Sequence, residues 1–148
     1  MTDQKPASPF KRTRVRFGLA TCLFGLLVFI LGARPEWFGL DRSPVIGFVQ
    51  IAVFIIGLGI ICVGGYLVLA ALWNGTQKSI VSDIGLRLVS TGFVIAVASG
   101  MADVFGFGSQ LPPITPEFGF LQTIGVLVGE IVIGVGFLML IPYQRVTD

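Results

Sequence analysis

Histidine is absent from the 148-residue chain. Its absence removes imidazole acid–base chemistry, Ser–His and Cys–His nucleophilic pairs, and the commonest ligands of zinc and haem. Cysteine is scarce as well. Cys22 and Cys62 each stand alone in an apolar run, without the close spacing of a redox or metal motif, and read as small packing residues. Charge is the third shortage: 12% of residues are Asp, Glu, Lys or Arg, against 54% hydrophobic. A water-soluble fold of this length needs more charge to cover its surface, whereas hydrocarbon as the solvent removes that need. No catalytic constellation, no metal-ligand spacing and no basic nucleic-acid face is left. The glycines fall inside apolar runs, where a phosphate-cradling loop does not form. The chain is therefore expected to be no enzyme and to hold no metal or cofactor, with the lipid bilayer as its first partner.

What the sequence does contain is long apolar runs. Four of them, at about 15–33, 44–73, 84–106 and 118–141, predict an all-α membrane protein with four transmembrane helices. Crossing about 30 Å of hydrocarbon takes about twenty residues, so the longer second run must tilt or project. The first run lacks a clear small-x-small cleavage site and is expected to be retained as a span. A basic tail (1–14) and a short tail (142–148) flank two hairpins, 15–73 and 84–141. Trp37, Trp73 and Tyr143 stand where interfacial aromatics belong. Ser43-Pro44 and Thr115-Pro116 read as helix starts, with the hydroxyl at the N-cap and proline at the first helical position. Ser82 and Asp83 read as caps of the third span, with Asp83 spaced to pair with Arg87 one turn later.

Lys and Arg set the orientation. Lys5, Lys11, Arg12, Arg14 and Arg16 precede the first span, Lys78 and Arg87 follow the second, and Arg145 follows the fourth. On the other side only Arg34 and Arg42 are basic, offset by Glu36 and Asp41, and the loop 107–117 has no basic residue. The positive-inside rule then places both termini in the cytoplasm of a multi-pass plasma (inner) membrane protein.

Self-comparison predicts an internal repeat. Gly18, Gly25, Gly32, Glu36, Phe38 and Gly39 are matched by Gly85, Gly92, Ser99, Asp103, Phe105 and Gly106, each pair 67 positions apart, as 85 is from 18. Ser43-Pro44-x-x-Gly47-Phe48-x-Gln50 is echoed by Thr115-Pro116-x-x-Gly119-Phe120-x-Gln122, and Gly57 and Gly64 by Gly129 and Gly136, now 72 positions apart. This pattern reads as tandem duplication of a two-helix hairpin. Each copy has two spans, so both enter the membrane in the same direction, related by a pseudo-two-fold axis along the membrane normal. Small residues seven apart lie almost on one line of a helix and let backbones approach where lipid removes the hydrophobic gain. Gln50-Gly57-Gly64 and Gln122-Gly129-Gly136 are the candidate seams of a tight, left-handed four-helix bundle, with the two glutamines bonded to each other or to backbone.

The two copies also differ. Glu130 lies near the middle of the fourth span, opposite Leu58 of the first copy, and Thr123 stands opposite Ile51. The third span has Arg87, Ser90 and Thr91 where the first has Ala20, Leu23 and Phe24. An ionised carboxylate at the bilayer centre is costly, so Glu130 is expected to be neutral or paired, with Arg87 long enough to reach towards it. Glu130, Thr123, Arg87, Ser90 and Thr91 form the candidate membrane-embedded polar site.

A duplicated hairpin with a glutamate on the fourth helix alone resembles the fused proteolipid c subunits of vacuolar-type rotary ATPases. That resemblance implies proton or cation translocation at Glu130. The chain departs from the family in its basic tail, which puts the hairpin loops outside, and in its sparser first-helix glycines. Two readings follow. One is a non-catalytic scaffold, accessory subunit or self-associating bundle, with itself or other membrane subunits as partners. The other is a translocator of protons, cations or small solutes that uses Glu130.

Overall fold

The computed structural model describes residues 9–40, 47–73, 79–107 and 119–142. It is helical throughout: α1 (Pro9–Ala33), a 3-10 turn (Pro35–Phe38), α2 (Phe48–Trp73), α3 (Ile80–Gly100) and α4 (Phe120–Leu140). All four α-helices contain a stretch long and apolar enough to cross a membrane, beginning at Phe10 in α1 and covering the whole of the other three. The chain is thus a helical membrane bundle. At about 1.5 Å per residue, the 26 residues of α2 extend about 39 Å, more than the hydrocarbon needs.

Helix limits depart from the hydropathy reading in ways the backbone explains. The first helix begins at Pro9, ahead of the apolar run, so Lys11, Arg12, Arg14 and Arg16 are helical. Ser79, not Ser82 or Asp83, caps α3: its hydroxyl accepts from the Ser82 amide at 3.2 Å. Helix α3 ends at Gly100 rather than continuing to 106. Residues 101–106 form turns that close with Gly106 N–H donating to the Asp103 carbonyl and Phe107 N–H to that of Ala102. Gly106 has φ of 80°, a left-handed conformation that suits glycine. The expected Ser43-Pro44 and Thr115-Pro116 caps, Tyr143, and the loop charges Asp41 and Arg42 lie outside the described residues.

Close packing occurs within each hairpin. A Cβ added to Gly18 would meet Val68 Cγ2 at 2.8 Å, and one on Gly25 would meet the Ile61 nitrogen at 2.8 Å. From the other side, one on Gly64 would meet the Cys22 nitrogen at 2.6 Å, and Gly32 and Gly57 abut the backbones of Phe54 and Phe29. In the second hairpin glycines face one another. A Cβ on Gly92 would lie 2.6 Å from the Gly129 carbonyl oxygen, and one on Gly85 2.7 Å from that of Gly136. Ser99 packs against Gly125. At such separations dispersion and weak Cα–H···O contacts hold helices together in lipid.

Between hairpins the contact is slighter and rests on α2, which touches both α3 and α4, while α1 packs chiefly on α2. The single tight bundle expected from four glycine lines is therefore two close-packed pairs set side by side. The Gly57, Gly64, Gly129 and Gly136 positions serve the packing inside each pair rather than between them. A core of Leu58, Val89, Ala96, Ile133 and Leu140 joins the pairs, with Phe93 and Phe137 around it. Those two rings reach α2 at Gly59 and Gly65. At the end opposite the hairpin loops, the Trp73 indole N–H donates to the Leu140 carbonyl at 2.9 Å. That carbonyl, in the last turn of α4, has no partner inside its own helix.

Candidate membrane-embedded polar site

Glu130 sits midway along α4, half-buried. The buried residues of α4 are Gln122, Val126, Gly129, Ile133, Gly136 and Leu140, and among them Gly129, Ile133, Gly136 and Leu140 meet the glycines and neighbouring backbone of α3. Glu130 is one position past Gly129 and so rotates about 100° from it. It lies one heptad before Phe137, whose ring rests on Gly65 of α2, which puts it on the flank of the α2–α4 contact. Among the described residues its carboxyl has no hydrogen-bond or ion-pair partner.

The rest of the polar stripe does not converge on it. Arg87 pairs with Asp83 (Nη2–Oδ2 3.3 Å) on an exposed face of α3, as its spacing from Asp83 predicts, and does not reach Glu130. Thr91 donates to the Arg87 carbonyl at 2.8 Å, Ser90 to that of Leu86 at 3.1 Å and Thr123 to that of Gly119 at 3.3 Å. All three hydroxyls are on exposed residues and satisfy themselves on their own helix one turn back. The sequence resolves which residues are polar but not which way each points.

The two glutamines part company. The Gln122 carbonyl oxygen accepts from the Gly119 amide at 2.8 Å and so caps its own helix. Gln50 has no side-chain partner among the described residues. It lines a cleft of about 180 Å³ with Gly32, Ala33, Ile51, Phe54, Gly100 and Val126, at the hairpin-loop end. Gln50 is the one polar side chain among the described residues of that lining. The cleft reaches Val126, one turn of α4 above Glu130.

Two features escape sequence reasoning. Ser82 is wholly buried and its hydroxyl has no partner among the described residues. The Trp73–Leu140 bond has no sequence signal beyond an interfacial tryptophan. The cysteines act as packing groups: Cys22 donates to the Ile61 carbonyl at 3.6 Å across α1–α2, and Cys62 packs against the core. Among the described residues no three His, Cys, Asp or Glu side chains gather into a metal-binding group. At the hairpin loop, Arg34 and Glu36 form an exposed ion pair of 2.8 Å.

Comparison with known proteins adds no relative: no protein-family model, curated protein or solved structure matches the chain.

Proposed function

We propose that the protein is a non-catalytic component of the membrane, a self-associating helical bundle that serves as scaffold or accessory subunit. The observation that carries this reading is the outward, self-satisfied state of the polar stripe. Ser90, Thr91 and Thr123 each bond their own helix, and Arg87 bonds Asp83. No wet path is built from them, and backbone-to-backbone glycine contacts fill the interior of each hairpin. The absence of a nucleophile–base pair in the sequence supports a role other than catalysis.

Tandem duplication is part of the same proposal, and several matched details support it. Gly39 and Gly106, 67 positions apart in the alignment of the halves, are the two described glycines with positive φ, at 66° and 80°. Gly39 N–H donates to Glu36 and Leu40 N–H to Pro35, as Gly106 donates to Asp103 and Phe107 to Ala102. The Gly25–Ile61 and Gly18–Val68 approaches of the first hairpin correspond to Gly92–Ile133 and Gly85–Leu140 in the second. Glycine lines as packing seams, a pseudo-two-fold axis along the membrane normal, and cytoplasmic termini in the plasma membrane complete the reading.

A second reading, translocation of a proton, cation or small solute, is favoured by one observation: the partnerless Glu130 carboxyl one turn below the cleft. Reconstitution in liposomes separates the two. The scaffold reading predicts no proton or cation flux above protein-free vesicles for wild type and for Glu130→Gln alike. Flux that the wild type supports and Glu130→Gln abolishes would establish the translocator instead.

A further inference from the structure

On α4 a half-buried carboxyl at the edge of the α2–α4 contact, without a partner among the described residues, adjoins an exposed glycine without a neighbour. Thr123, Leu127, Glu130, Gly134 and Leu138 recur at intervals of seven, or of three and four, and so share one side of the helix. Leu127 and Leu138 are 50% and 60% exposed, and Thr123 and Gly134 are exposed. A Cβ added to Gly134 would meet nothing within 4 Å. Every other glycine inside the four described helices would meet a neighbouring atom. Gly134 is thus a bare notch on the lipid side, one turn from Glu130.

We infer that this face of α4 is where a second copy of the chain docks, parallel and two-fold related, with Glu130 bonded to Glu130 of the partner across the axis. The inference rests on the self-associating bundle reading and names the surface that associates. Two copies inserted in the same direction bring α4 against α4 about an axis along the membrane normal. In such a two-fold contact each residue near the axis meets its own counterpart. A neutral carboxyl both donates and accepts, so Glu130 is its own complement, and one side chain per copy satisfies both. Gly134, one turn further on, lets the two backbones close to the distance this needs. An unrelated membrane helix would have to supply a matching polar group at the same depth, whereas a second copy carries it by symmetry. Thr123 contributes little, because its hydroxyl is already bonded to Gly119.

Open space around Gly134 makes the test clean. Gly134 is exposed and a Cβ there meets nothing within 4 Å, so Gly134→Leu is expected to leave folding unaffected. Association is read by single-molecule photobleaching of labelled protein diluted in liposomes, and contact by oxidative cross-linking of Leu127→Cys and Leu138→Cys in a Cys22→Ala, Cys62→Ala background. The wild type is expected to form dimers. Glu130→Leu and Gly134→Leu are each expected to weaken them by roughly three- to tenfold, the worth of one interhelical hydrogen bond or packing contact in lipid. Glu130→Gln, which still donates and accepts, is expected to keep them. Cross-links are expected at 127 and 138 and not at Leu23→Cys on α1. A wild type that stays monomeric at every dilution, including one whose carboxyl another protein covers, overturns the inference. So do dimers indifferent to both Leu substitutions, or cross-links through α1. Flux measured on the same liposomes separates the two readings. Dimers that withstand both Leu substitutions, without flux, overturn only the docking face, and flux with association intact overturns only the non-conducting role.

Discussion

Gly129 and Gly134 stand five positions apart on one helix and behave as opposites. Gly129 presses on α3, where an added Cβ would meet the Gly92 carbonyl oxygen at 2.6 Å and the Ala96 nitrogen at 2.7 Å. Both are backbone atoms of a neighbouring helix and cannot swing aside. Gly129→Val is therefore expected to cost about 1–3 kcal/mol, the usual penalty of overpacking, read as a lower midpoint in detergent-mediated or steric-trap unfolding. Seven-residue spacing singles out Gly129 and Gly136 and leaves Gly134 aside, so this distinction is partly legible from the sequence. For polar residues the sequence says less. Arg87, Ser90, Thr91 and Thr123 read as one stripe with Glu130, but hydrophobicity carries no information about rotation around the helix axis. Each hydroxyl also has a carbonyl of its own helix within reach, which removes the pressure to point inward. Glu130 makes no such bond among the described residues.

Helix existence is plain in the sequence, and helix limits are not, because hydropathy reads the solvent rather than the backbone. Met101, Val104 and Phe105 extend the apolar run past Gly100, yet the chain has already turned there on its way to the left-handed Gly106. At the other end of α3, the polar Ser82 and Asp83 make the apolar run begin late, while the helix starts at Ile80 because the Ser79 hydroxyl takes the Ser82 amide. Ser79→Ala removes that acceptor and is expected to destabilise the start of α3 by about 1 kcal/mol. Hydrogen exchange is the measurement: the Ser82 amide should exchange several-fold faster, with amides beyond the second turn unchanged. Equal protection in the two proteins would mean that the hydroxyl adds nothing in its interfacial setting.

At the scale of the molecule, two close-packed pairs meet along α2 with one indole bond and a small apolar core between them. Four membrane helices follow from composition and run length, while the pairing of α1 with α2 and α3 with α4 follows from the backbone contact their glycines allow and not from connection length, since the shortest link, 74–79, joins α2 to α3. The slight joint between pairs has no signature in hydropathy, since Phe93 and Phe137 look like any other membrane phenylalanine until their rings are seen on Gly59 and Gly65. The central claim is that this assembly is a dry bundle whose single mid-span carboxyl meets protein or lipid and not water. The direct measurement is the reactivity of Glu130→Cys, in the Cys22→Ala, Cys62→Ala background, with a charged, membrane-impermeant thiol reagent. The reagent is added to sealed vesicles from outside and, separately, trapped inside. The account predicts no modification from either side over times that fully label a loop cysteine. Rapid modification from either compartment would reveal an aqueous route to position 130 and contradict it.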